Sequence, residues 1–370
     1  MPQAPPPGPV SIVIKAYNEA QHIAACLESA LRALADIGGE VVLADSGSSD
    51  ATLAVAARYP VRIVQLAHPE ERCCGIGAQL GFEHASGAFI YLMDGDMQLN
   101  PYFLPAALEL MHLRPTVGGV GGRVVELNNG HLEYRARAEN PAARQPVGAV
   151  DRLDGGGLYR RSAINSVGYL SDRNLHSYEE LELGLRLREQ GWTLWRLPME
   201  AVSHQGHQTP PYQLLLRRWR SGYALGIGEL LRASWRSPQR LRAVLRLHEM
   251  RVYLGLLLGW LLLGLWLLSP IALAFKLSGL AALPLILLLA ISWRKRSFER
   301  GLYALVAWHC NSAGLLRGLL KSRQPPKQPI TCQQVQAPPA MKVQPQDAQE
   351  DQAVPSPTRS YPPTHVHSTP

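Results

Sequence analysis

The 370-residue chain is 46% hydrophobic, enough to bury a sizeable core in more than one domain, which excludes a wholly disordered polymer. Its formal net charge of +8 asks for an anionic partner; because Lys and Arg gather around a very apolar C-terminal stretch, that partner is expected to be anionic lipid and not nucleic acid. The five cysteines, Cys26, Cys73, Cys74, Cys310 and Cys332, lack zinc-ligand spacing, and adjacent Cys73 and Cys74 pair poorly, so a reducing, cytosolic exposure is expected.

Residues 1–9 are Pro-rich and carry neither the basic start nor the apolar core of a cleaved leader; they are expected to be a disordered arm. Residues 10–14 predict a strand, and the loop Ala16-Tyr17-Asn18-Glu19 leads into a helical pattern of Ile23, Cys26, Leu27, Ala30, Leu31 and Leu34. Residues 40–44 predict a second strand, followed by the polar turn Asp45-Ser46-Gly47-Ser48-Ser49-Asp50, whose last Asp can cap a helix over 51–59. A third strand over 61–66, a helix of small residues through Gly77 to His84, and a strand over 89–93 complete an alternation that implies parallel pairing and a doubly wound, nucleotide-binding α/β architecture. That last strand ends in Asp94-Gly95-Asp96. Two carboxylates one residue apart at the carboxyl end of a buried strand either hold a hard cation such as Mg²⁺ or form a solvated turn.

A helix over 100–114 and a glycine-rich strand over 117–125 follow, while residues 126–152 show no period. The segment Asp154-Gly155-Gly156-Gly157 either leaves the backbone open to a ligand or simply bends before a helix at Ser162. A helix over 177–190 carries Glu179, Glu180 and Glu182 in its first turn, where its dipole stabilises acids whatever else they do. Residues 192–197 predict a strand, and Ala201-Val202-Ser203-His204 ends in a histidine that is either a metal ligand or structural.

Basic residues thicken over 217–251. Two apolar runs, 252–268 and 277–293, each come close to the roughly 20 residues that cross a bilayer. Arg240, Arg242, Arg246 and Arg251 before them and Arg294, Lys295, Arg296 and Arg300 after them place both ends in the cytoplasm. Residues 301–320, with His309, Asn311 and Arg317, read as an interfacial helix in preference to a third span, and residues 321–370 as a Pro/Gln-rich disordered tail from about Gln324 on.

Together these segments resemble the family 2 glycosyltransferases with the GT-A fold, of the membrane-anchored bacterial type, over about residues 10–210. The resemblance rests on Tyr17-Asn18-Glu19, the acidic turn from Asp45 to Asp50, Asp94-x-Asp96, Gly156-Gly157 with Arg160-Arg161, the helix start Glu179-Glu180-x-Glu182-Leu183 with Arg186 and Arg188, and His204. It implies a nucleotide-binding, Rossmann-like mixed sheet flanked by helices, then a basic helical linker at the membrane surface (211–251) and a transmembrane hairpin with an interfacial or third helix (252–320). By that resemblance Tyr17, Glu19, Asp45, Asp94, Gly156 and Gly157 would contact the nucleotide sugar, with Asp45 on the nucleobase and Asp94 on the ribose or metal. Asp96, Asp94 and His204 would hold a divalent Mg²⁺ or Mn²⁺ ion, and Glu180, with Glu179 as its neighbour, would be the general base. The implied activity is inverting transfer of a sugar from a nucleotide diphosphate to a lipid-linked sugar, glycolipid or surface-polysaccharide precursor at the cytoplasmic membrane, in a multi-pass protein whose catalytic domain lies on the cytoplasmic side. An inactive membrane scaffold of the same fold is the alternative.

Several positions depart from the family pattern, among them Glu180, which replaces the usual Asp as a base one methylene longer. Lys15-Ala16 stands where Pro-Thr is usual, Gln79 replaces an Asn, and Leu215 replaces the Gln of the processive Gln-x-x-Arg-Trp motif that ends here in Arg218-Trp219. The last points to transfer of a single sugar.

Overall fold

The computed structural model describes residues 10–127, 145–206 and 209–337; the N-terminal arm, the middle of the unpatterned segment and the tail beyond Ala337 lie outside the described residues. Strands β1 (Val10–Ala16), β2 (Gly39–Asp45), β3 (Arg62–Leu66) and β4 (Phe89–Asp94) pair in parallel in the order β3-β2-β1-β4. Alternation of side chains across the pleat sorts this sheet into two cores. Val10, Ile12 and Ile14 of β1 pack with helices α1 (Ile23–Leu34) and α4 (Phe103–Leu113) on one face. Val13, Val42 and Val64 pack with α3 (Cys74–Glu83), α5 (Arg161–Val167) and α6 (Glu179–Glu189) on the other. Helix α2 is short, Thr52–Ala56, and Asp50 accepts a hydrogen bond from its Thr52 N–H at 2.9 Å.

Past β4 the sheet is mixed. β8 (Gly157–Arg160) runs antiparallel between β4 and β6 (Val117–Glu126), and β9 (Thr193–His204) pairs in parallel with β6. Short strands β5 (Met97–Leu99) and β7 (Gly148–Val150) each pair antiparallel with β9. The expectation of parallel pairing therefore holds only for the first half. β8 is four residues long and opens on glycine, so its sequence reads as a bend; it becomes a strand because β4 and β6 offer ladder partners on both sides. The expected strand over 192–197 and the stretch 201–204 that follows are one element, which tolerates Pro198 where the register with β6 shifts.

The C-terminal helices are α7 (Pro211–Arg220), α8 (Gly226–Ser234), α9 (Pro238–Leu245), α10 (His248–Leu268), α11 (Leu273–Lys295) and α12 (Phe298–Leu320). By length and composition α10 and α11 are able to cross a membrane, and their apolar surface stays exposed, with Leu261, Leu265, Leu285 and Ile286 each more than half accessible. The helix over 301–320 packs closely: a Cβ at Gly314 or Gly318 would come within 2.2 Å of the carbonyl oxygen of Ala224 or Leu225. A third core joins α6 to this helical part through Leu181 and Leu185 against Ile227, Leu230, Met250 and Leu315.

The segment after α12 corrects the expectation of disorder from Gln324. Arg173 donates to the carbonyls of Gln328 and Pro329 at 3.0 and 3.2 Å, Ile330 is buried, and β10 (Cys332–Gln336) pairs antiparallel with β3. Composition alone marks this stretch as polar and unstructured. Its partner, the open edge of β3, supplies unpaired backbone groups that sequence composition cannot reveal.

Candidate active site

The carboxyl ends of β1, β2 and β4 meet at one edge, where two loops are zipped together. Asn18, at a φ of +56°, accepts from the Ser49 N–H at 2.8 Å, and its own N–H donates to the Ser48 hydroxyl at 2.9 Å. The Glu19 N–H donates to Thr52 Oγ1 at 2.8 Å and the Ala20 N–H to Asp50 at 3.1 Å. Tyr17 lies under the Arg72 guanidinium, 3.7 Å from ring centroid to Cζ. Asp45 is fully buried and accepts from the Gly47 and Ser48 N–H groups at 2.9 Å each, from the Ser48 hydroxyl and from Gln65. It shapes the loop from within, so its carboxylate is less open to a base than expected.

Beside these loops β4 delivers Asp94 and Asp96. Lys15 Nζ lies 2.9 Å from Asp94 Oδ1 and 3.1 Å from Glu179 Oε1. Asp96 Oδ2 lies 3.1 Å from His204 Nε2, and the other ring nitrogen, Nδ1, lies 2.6 Å from Glu126 Oε2. Burial disfavours the charged imidazole, but the bonds to Asp96 and Glu126 outweigh it and raise His204 to about 10. Glu19 packs over Gly95, where a Cβ would stand 3.1 Å from its Cγ; burial, then the charges of Asp96 and Asp94, push Glu19 up to about 8.

This donor set fits a divalent ion. Acids crowd around Gly95 with a proton affinity that a cation would lower, and a histidine oriented by a second carboxylate is the usual support of a metal ligand. Among the described residues no group of three or more His, Cys, Asp or Glu forms a complete cage. Asp96 and His204 are the pair in place, which leaves positions for phosphate oxygens and water, as Mg²⁺ and Mn²⁺ sites on diphosphates require.

Helix α6 brings the second group of acids. Tyr178, at a φ of +67°, turns the chain so that Glu179 points to Lys15 while Glu180 enters a backbone cradle. The Gly155 and Gly156 N–H groups donate to the two oxygens of Glu180 at 3.1 and 2.8 Å. Burial, followed by the charges of Glu179 and Asp154, raises Glu180 to about 8; Lys15 and the Gly156 N–H pull the other way. Gly156 has a φ of +99°, and a Cβ there would stand 2.2 Å from the Leu92 carbonyl oxygen, so only glycine fits. The remaining acid of the cluster, Glu182, is buried in an i,i+4 pair with Arg186 at 2.7 Å.

Several expected site residues are engaged elsewhere. The amide of Gly156 serves Glu180, and Gly157 is buried in the β4–β8 ladder, so neither backbone is open to a ligand. Arg160 and Arg161 hold the carbonyls of Met111, Gly87 and Ala85; β8 runs antiparallel to β4, which carries them to the opposite end of the sheet. Gln79 accepts from the Leu170 and Ser171 N–H groups at 3.0 and 3.1 Å and is a structural buried amide. Conversely, sequence reasoning missed Glu126 and marked Lys15 only as a departure from the family pattern. Glu126 ends a strand with no distinguishing motif; Lys15 carried a signal, as a charged residue inside an apolar strand.

The sequence model described as Glycosyl transferase family 2 matches residues 11–168, and that of Glycosyl transferase family group 2 matches residues 155–294. A dolichol-phosphate mannosyltransferase of Pyrococcus furiosus is 28% identical over 121 residues, 32% of this chain and 34% of that protein. The chain thus spans about a third of that relative's length. An N-acetylglucosaminyl-diphospho-decaprenol L-rhamnosyltransferase of Mycobacterium tuberculosis is 28% identical over 278 residues, 62% of this chain and 87% of that protein. Among solved structures, a mannosyltransferase of Pyrobaculum calidifontis in complex with GDP-Man and Mn²⁺ superposes with a TM-score of 0.55 at 18% identity, covering 84% of this chain and 87% of that one. That likeness shows the GT-A fold.

Proposed function

We propose that this chain, which belongs to the family 2 glycosyltransferases, is a metal-dependent inverting enzyme that moves a sugar from a nucleotide diphosphate to a membrane-associated acceptor. The observation that carries the proposal is the meeting, through Lys15, of the Asp94-Gly95-Asp96 turn with the Glu179-Glu180 helix start at one edge of the sheet. Donor-side and base-side acids are thereby held in one site.

The acceptor hydroxyl has a pKa far above 7 and gives up its proton as its oxygen attacks the anomeric carbon. Glu180, with a proton affinity near neutrality, takes that proton. The bond from the anomeric carbon to the diphosphate oxygen breaks on the opposite face, which inverts the configuration. Tyr17, Glu19 and Asp94 line the donor side, and the loop that Asp45 braces forms the wall for the base and ribose. Asp96 and His204 would hold Mg²⁺ or Mn²⁺, which supplies neutralisation of charge on the departing diphosphate.

A cavity of about 180 Å³ is lined by Tyr178, the residue that precedes Glu179 in the chain, with Arg218, Tyr223, Tyr253 of α10 and Asn311 of α12 among others. It supports an acceptor that approaches from the membrane side, such as a lipid-linked sugar, glycolipid or surface-polysaccharide precursor. The acceptor named for the mycobacterial relative, N-acetylglucosaminyl-diphospho-decaprenol, is of that class. Leu215 in place of Gln supports transfer of one sugar per encounter, and the basic flanks of α10 and α11 support a multi-pass protein of the cytoplasmic membrane with its catalytic domain inside.

The test is binding of a panel of nucleoside diphosphates to detergent-purified protein with and without Mn²⁺, followed by transfer from the matching nucleotide sugar to polyprenyl-linked acceptors and assignment of the product anomer. Metal-dependent binding that Asp96→Ala abolishes is expected. A folded protein that binds no nucleotide would sink the proposal in favour of a scaffold.

A further inference from the structure

We propose that Lys15 is a resident counter-ion of the donor site: a positioning residue that neutralises Asp94 and so leaves the divalent ion to Asp96 and His204. The inference rests on the metal-dependent function proposed above and deepens it.

Both the backbone and the side chain of Lys15 hold the acidic turn. Its carbonyl accepts the Gly95 N–H at 2.9 Å, and its ammonium lies 2.9 Å from Asp94 Oδ1. The second contact, 3.1 Å to Glu179, fixes the ammonium from the side of α6. The Lys15 side chain is only 15% exposed, and a buried ammonium stays where carboxylates pair with it. The two acids of the turn are engaged separately: Asp94 by Lys15, Asp96 by His204, which Glu126 orients in turn. A divalent ion placed on Asp94 would face the largely covered Lys15 ammonium across the same carboxylate, and like charges at that range repel, although Asp94 itself is 43% exposed. Asp94 therefore contributes to the ion only after Lys15 has left it. Leaving would strand Glu179 as well, since one ammonium serves both acids. With Asp96 and His204 as its ligands among the described residues, the ion takes diphosphate oxygens and water in further positions, so nucleotide and ion bind together.

The experiment is Mn²⁺ titration of the full-length protein in detergent, read by the EPR signal of free Mn²⁺, for wild type, Lys15→Met, Lys15→Arg, Asp94→Asn and the Lys15→Met/Asp94→Asn double variant. Lys15→Met is expected to bind Mn²⁺ about fivefold or more tightly, because Asp94 joins the donor set, and adding Asp94→Asn is expected to cancel the gain. Lys15→Arg keeps the charge and the wild-type affinity. Asp94→Asn alone, which does not depend on the folding of a lysine variant, is expected to shift the affinity by less than about fivefold. A larger weakening in Asp94→Asn, or an unchanged affinity in folded Lys15→Met, overturns the proposal. Metal-dependent nucleotide binding that persists beside either overturning result leaves the transferase function standing and removes only the role of Lys15. No Mn²⁺ binding by wild type, with or without nucleotide, overturns both.

Discussion

Replacing Glu180 by Gln separates what this residue does for catalysis from what it does for stability. Glu180 is held near 8, against a value of 4.5 for an ordinary glutamate. A raised folded-state value means that the group's stability contribution is fully present below 4.5 and is lost as pH rises through about 8. At pH 7 the unfolded chain carries an ionised Glu180 while the folded chain favours the neutral acid. Over the roughly 2.5 units between 4.5 and 7, at about 1.4 kcal/mol per unit, this disfavours folding by up to about 3 kcal/mol. Gln matches the neutral form in shape and removes that term. It also turns an amide group toward one of the two glycine N–H donors, which forfeits a hydrogen bond of about 1 kcal/mol. Glu180→Gln is therefore expected to be more stable than wild type by about 2 kcal/mol at pH 7, and less stable by about 1 kcal/mol near pH 4.5. Sugar transfer should fall by about 10²- to 10⁴-fold, the usual contribution of a positioned base. Thermal midpoints in detergent at both pH values, with initial transfer rates at pH 7, measure all three quantities. A variant less stable at both pH values would refute the cradle energetics, and one within about tenfold of wild-type activity would refute the role of the base.

Wild-type transfer under limiting substrate should rise with pH through about 8 as Glu180 loses its proton, and a profile flat from pH 6 to 9 would contradict this. Gly156→Ala forces a Cβ to 2.2 Å from the Leu92 carbonyl at a φ of +99°; a loss of about 2–5 kcal/mol in detergent unfolding is expected, together with loss of transfer. Arg186→Met leaves Glu182 as an unpaired buried charge and strips a donor from the Tyr169 carbonyl, which should destabilise by about 3–5 kcal/mol without altering nucleotide specificity. Ile330→Asp puts a carboxylate into the second core, and protease cleavage within residues 321–337 should become rapid in that variant while wild type resists; equal cleavage of the two would show that the segment is not held there.

What the sequence determined is what local chemistry can specify. The alternation of apolar strand and helix over residues 10–113 gave β1 to β4 and α1 to α4, though not the short strand β5, because periods of two and of about 3.6 residues follow from backbone geometry alone. The Asp94-Gly95-Asp96 turn was legible because a carboxylate pair at a strand's end sits where open α/β sheets collect ligands. Tertiary structure decided the partners. Whether Gly156 meets a substrate or Glu180, whether Arg161 lies at the site or at the far end of the sheet, and whether residues 332–336 form a strand all depend on the antiparallel entry of β8 and the open edge of β3. The pairing of Lys15 with Asp94 and Glu179 joins residues up to 164 positions apart, and no local pattern records such a contact. Hydrogen bonds and ion pairs form between whatever groups the packed chain brings within about 3 Å, so the roles of these side chains are fixed only once the cores have closed.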